Sequence, residues 1–189
     1  MKDTFIHPLR LTAGERRLCA AAVGVGLCGG ILSFFIVAQM GGSHTVLRRM
    51  SEADLWFMAS GILGALGGLY LGGRWMGYAG VSGVLRALRG IVAVSFVGTL
   101  IGGTLALPFY GTMFGPLMFV LTLVGRPELA ALWLAMMVAC HYLLRAWRQE
   151  RAQRAAAAAA AAVVVARPLR RPQRTRGNWL TPTLDRTRR

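Results

Sequence analysis

Lysine is nearly missing from this chain: of its 22 basic residues only Lys2 is a lysine, and the rest are arginine. Acidic residues number seven, which leaves a formal charge of +15. With Ala and Gly abundant, this balance reads first as the codon bias of a GC-rich bacterial genome. Charge alone therefore assigns no nucleic-acid or headgroup role. Cysteine is scarce as well. Cys19, Cys28 and Cys140 show no C-x-x-C spacing and no paired histidines, which excludes a legible zinc site or disulfide framework. Cys19 and Cys28 would lie about 13 Å apart along a helix, beyond the reach of a disulfide. All three are expected to be small buried apolar residues.

Catalytic patterns are missing too. There is no G-x-S-x-G, no H-E-x-x-H and no phosphate-binding glycine loop. Cys140 and His141 are neighbours, but adjacent helix residues do not face each other and cannot act as nucleophile and base. A haem between helices would need a second histidine at the depth of His141, whereas His7 and His44 belong to other segments. His141 is thus expected to be structural. The expectation is a protein that is not an enzyme, with no catalytic residue, cofactor or metal site.

What the chain has in excess is apolar sequence. Hydrophobic residues make up 55% and the mean hydropathy is +0.50, above the roughly 45–50% of soluble domains. The reading is an all-α integral membrane protein, a four-transmembrane-helix bundle with spans at about 18–40, 55–73, 91–107 and 129–147. Residues 1–17 form an N-terminal segment, 18–147 the membrane domain and 148–189 an Ala/Arg-rich tail. The first run, 23 residues long, is too long for a secretory h-region and lacks a good cleavage site, so it reads as a retained anchor. Thr12 with Glu15, and less strictly Ser51 with Asp54, have the spacing of capping boxes opening the first two helices.

Arginine placement sets the orientation. Lys2, Arg10, Arg16 and Arg17 precede the first span, Arg74, Arg86 and Arg89 lie between the second and third, and twelve arginines follow from Arg145 onward. The opposite side holds only Arg48, Arg49 and Arg126. By the positive-inside rule both termini are expected in the cytoplasm of a bacterial cell, with the bundle in its inner membrane. Trp75, Tyr78, Tyr142 and Trp147 would mark one interface, and Trp56, Tyr110 and Trp133 the other.

Small residues recur every fourth position in three spans: Ala22, Gly26 and Gly30; Ser60, Gly64, Gly68 and Gly72; Gly98, Gly102 and Ala106. Residues four apart share a helix face, and small ones let backbones approach where lipid offers no hydrophobic drive. These rows predict close helix packing, within the chain or between copies. Gly-Gly pairs at 29 and 30, 67 and 68, and 102 and 103 read as shared glycine bias rather than a repeat.

One stretch breaks the pattern. Residues 91–125 carry no charge, and as one straight helix they would measure about 52 Å, far more than a bilayer. Pro108, Phe109, Tyr110, Gly111, Gly115 and Pro116 are therefore expected to form a break, re-entrant or interfacial. Three arrangements fit: a turn followed by a helix along the surface, a re-entrant half-helix over about 117–125, or a longer last span burying Arg126 and Glu128. Pro127 and Glu128 read more naturally as a helix start.

In the tail, eight consecutive alanines, 155–162, predict a continuation of the last helix, and 167–189 lacks core-forming content. Its arginines suit anionic lipid headgroups. Trp179 alone makes no stacking platform, so nucleic acid is not an expected partner. The functional expectation is a non-catalytic accessory, assembly or scaffold subunit, with a membrane protein or a second copy as partner. The alternative is a small transporter or channel component with its site at 108–125.

Overall fold

A computed structural model describes residues 12–40 and 50–166. Lys2, Arg10, His7, His44, Arg48, Arg49 and the segment 167–189 with Trp179 lie outside the described residues. Five helices follow in order: α1 (Ala13–Met40), α2 (Glu52–Gly72) extended by a 3-10 turn (Gly73–Trp75), α3 (Val81–Ala106), α4 (Tyr110–Gly125) and α5 (Pro127–Ala166). No strand occurs among the described residues. Four of the helices, α1, α2, α3 and α5, are long and apolar enough to cross a membrane, while α4 is a shorter apolar helix.

Both expected capping boxes form. Ser51 Oγ accepts from the Asp54 N–H at 3.2 Å and the Ser51 N–H donates to Asp54 Oδ2 at 2.9 Å, so two otherwise orphaned donors at the start of α2 are satisfied reciprocally. Thr12 and Glu15 do the same for α1. Helices outrun their apolar cores: α3 begins at Val81, ten residues ahead of Ile91, because Arg86 and Arg89 sit on its exposed side and disturb nothing.

Helix α2 runs antiparallel between α1 and α3. Gly29 of α1 meets Gly61 and Ala65, while Gly64 and Gly68 meet the α3 backbone at Gly98. Helix α5 runs antiparallel to α1, with Met136 beside Gly24 and Trp147 beside Gly14. Val25, Leu32, Val94, Met137 and Cys140 form the centre of the core. Cys28 is buried as expected, but Cys19 is exposed, since it lies on the side of α1 turned away from the other helices. We call the end where α1 and α3 begin proximal and the end where they finish distal.

At the proximal end the chain turns from α2 to α3 in a few residues. Gly77 at φ +84° and Gly80 at φ +83° adopt left-handed backbone that side-chain-bearing residues resist. Helix α5 fastens this turn: His141 Nδ1 accepts the Gly77 N–H at 3.1 Å, the structural role read for this histidine. Arg148 Nη2 donates to the carbonyls of Gly73 at 3.2 Å and Arg74 at 3.0 Å, placing a cation where the α2 dipole ends.

The chain divides into two compact units, Met1–Ala152 and Gln153–Arg189. The described part of the second is the exposed, helical, alanine-rich end of α5.

Candidate functional site

The interrupted stretch is where the structure departs most from the sequence reading. The break occupies only 107–109. The Tyr110 N–H donates to the Pro108 carbonyl at 3.0 Å across Phe109, whose φ of 71° and ψ of −55° define a tight γ-turn. Helix α4 then starts at Tyr110, so Tyr110, Gly111, Gly115 and Pro116 belong to a helix and not to a break. Pro116 lies inside α4, and the helix continues through it. The half-helix expected from 117 thus begins seven residues earlier, and Arg126 and Pro127 stand at the junction to α5 rather than inside a span.

Helix α4 is 16 residues long, about 24 Å. It begins beside the distal end of α3 and finishes beside the distal end of α1. Near its start, Gly111 touches Gly103 backbone to backbone, and Gly115 packs against Thr99 and Gly103. Near its end, Thr122 Oγ1 donates to Gln39 Oε1 at 3.1 Å and the Arg126 guanidinium lies 5.2 Å over the Phe35 ring. Both ends of α4 are therefore distal.

The small-residue rows pack within the chain. Gly64, Gly68 and Gly72 face the α3 backbone between Gly90 and Gly102, Ser60 adjoins Gly102 through its carbonyl, and Gly98 and Gly102 return the contact. In α1 the row is displaced: Gly26 and Gly30 meet Ile62 side-chain atoms, half-buried Ala22 packs against the core, and the backbone contact falls on Gly29. A further seam, Gly103 with Gly111 and Gly115, joins α3 to α4. Its signal was present in the four-residue spacing of Gly111 and Gly115, masked by the prolines around them. Gly102 and Gly103 point to different partners, α2 and α4, as adjacent helix positions must.

Between the seams a cavity of about 120 Å³ opens under α4. Gly29, Gly61, Gly98 and Gly102 give it a floor without side chains, and Ala106, which the row expectation placed against another helix, lines its wall instead. Phe119 and Trp133 are in its lining, their rings 5.7 Å apart and edge to face. Trp133, expected at the distal interface, is instead buried, because its indole N–H finds Ser95 Oγ at 2.9 Å.

The polar groups in the wall are engaged. Ser33 Oγ donates to the Phe57 carbonyl at 2.7 Å, Thr99 Oγ1 donates to the Ser95 carbonyl at 2.9 Å, and Ser95 Oγ accepts from Trp133. What remains facing the space is apolar. Chemically the arrangement suits an apolar occupant.

No protein-family model, curated protein or solved structure matches this chain.

Proposed function

We propose that the chain is a multi-pass protein of a bacterial inner membrane with both termini cytoplasmic, acting as a non-catalytic accessory, assembly or scaffold subunit of a membrane complex. One observation carries this reading: the hydroxyls and the indole around the central cavity are bonded to one another or to backbone carbonyls. A cavity wall so occupied offers little to a polar substrate, while glycine seams hold the helices at fixed spacing and leave large apolar side chains such as Tyr70, Val81 and Val124 on the outside. Those outward faces suit lipid and a protein partner or a second copy. The tail arginines suit anionic headgroups.

The test is extraction of a tagged chain from its native host into lipid nanodiscs without detergent, with mass spectrometry of what accompanies it. A stoichiometric partner is the expected result. A lone monomer would overturn the accessory reading. For the orientation, protease added to right-side-out cells should leave the tail intact, and cleavage there would reverse it.

A second reading, a small transporter or channel component, is favoured by the position of the cavity directly under α4. It requires aqueous access. Cysteines placed at Phe114 and Met118, which line the cavity, should then react with a membrane-impermeant thiol reagent added from outside, and protection of both would remove it.

A further inference from the structure

We propose that the cavity under α4 is a lipid-tail site, holding the acyl chain of a bilayer phospholipid against Trp133. The inference rests on the membrane reading above but is independent of the accessory-subunit role. Three features of the space point to this occupant.

The lining selects against polar molecules. Ser33 and Thr99 spend their hydroxyl protons on backbone carbonyls and Ser95 accepts the Trp133 indole N–H, so the wall offers a polar occupant few side-chain partners. A cavity needs several free polar groups to hold water, and apolar ones stay dry and take apolar ligands.

Shape comes next. The floor is glycine backbone on three helices, and the edge-to-face rings of Phe119 and Trp133, both buried, are in its lining. By comparison with an apolar cavity of about 150 Å³ that accepts benzene, one of about 120 Å³ accommodates roughly five carbons of an unbranched chain.

The mouth decides the source. Met40, Leu107 and Phe114 line the cavity and are also exposed, so the space opens between them onto the outside of the bundle. These rim residues are apolar and sit at the ends of α1, α3 and the first turns of α4. In a spanning bundle such a rim meets hydrocarbon, and the hydrocarbon at hand is lipid tail. Its chain enters without leaving an apolar medium, and it replaces contacts the cavity walls would otherwise lack.

The probe is fluorescence of single-tryptophan chains in phosphatidylcholine vesicles carrying acyl-brominated lipid, which quenches only at contact range. The chain has five tryptophans, so each test protein keeps one and carries Phe at the other four. Trp133 is 4% exposed and Trp56 is 55% exposed. Perimeter lipid alone would quench Trp56 and spare Trp133.

The expected result is quenching of Trp133 at least as strong as that of Trp56. Ala106→Phe, which fills the cavity from its wall, should lower Trp133 quenching by at least about two-fold because the filled space excludes the bromine atoms. The smaller Ala106→Leu should give an intermediate loss should the Phe variant fold poorly. Trp56 quenching should change with neither. Quenched Trp56 with spared Trp133 would overturn the lipid-tail site alone. Neither tryptophan quenched would overturn the site together with the membrane reading.

Discussion

Trp133 of α5 and Ser95 of α3 are joined by an indole N–H to hydroxyl hydrogen bond of 2.9 Å, with the indole almost wholly buried. The two helices are far apart in sequence and α4 lies between them in the chain, so this bond ties together elements that the loops do not. Ser95→Ala leaves a buried donor without a partner, which costs about 1–3 kcal/mol. Thermal unfolding in detergent micelles should show the loss. A double-mutant cycle with Trp133→Phe should recover a coupling of about 0.5–1.5 kcal/mol, and additive effects would mean the bond does not hold the helices.

The glycine seams rank by what a methyl group would meet. A Cβ on Gly64 would lie 2.5 Å from the Gly98 carbonyl oxygen and 2.7 Å from Gly102 Cα, both backbone that cannot turn aside. Gly64→Ala should therefore destabilise by about 1–3 kcal/mol. Gly26→Ala, whose Cβ would sit 3.4 Å or more from Ile62 and Leu66 side chains, should be neutral or gain up to about 1 kcal/mol from helix propensity. Equal unfolding temperatures for the two variants would contradict the packing described.

Phe109 carries its strain in the open. Its φ of 71° is unusual for a residue with a side chain, and that side chain is 89% exposed, so little packing is lost on removing it. Phe109→Gly should be neutral or stabilising by about 1 kcal/mol, the released strain outweighing the added freedom of the unfolded chain. A fall in unfolding temperature would show that the ring is needed for packing.

At the proximal turn, Arg148 reaches two carbonyls with one nitrogen while its guanidinium lies 4.3 Å over the Tyr78 ring. Lysine has no planar group to stack and fork in this way. Arg148→Lys and Arg148→Ala should both destabilise, by about 1 kcal/mol or somewhat more for alanine, and both should raise protease cleavage in residues 76–80. Cleavage unchanged in both would mean that His141 and the two left-handed glycines suffice to fix the turn.

Much of this arrangement could be read from residue spacing, for reasons that differ by element. Four long helices follow from charge-free runs bounded by arginines, and two helix starts follow from Thr12 with Glu15 and Ser51 with Asp54. The α2 and α3 rows were legible because Gly64, Gly68, Gly98 and Gly102 repeat at the helical period over several turns. Helix α4 was obscured by Pro116. Proline usually ends or kinks a helix through its effect on the preceding turn, whereas here α4 runs through it. Trp133 was misplaced because a tryptophan near a helix end looks like an interface anchor, and only the third dimension brings Ser95 to its nitrogen. The cavity itself has no linear signature, being space left between five helices.

Because α4 leaves from the distal end and comes back to it, the four long apolar helices α1, α2, α3 and α5 alternate in direction. Arg145, Arg148 and Arg151 near the end of the packed part of α5 thus share an end with Arg16 and Arg17 at the start of α1, as the contact of Gly14 with Trp147 requires. A fourth helix extended to about 20 residues would be long enough to traverse the bilayer, and α5 would then point the other way. The direction of α5 relative to α1 is set by a hairpin whose two arms meet at Gly103 and Gly111.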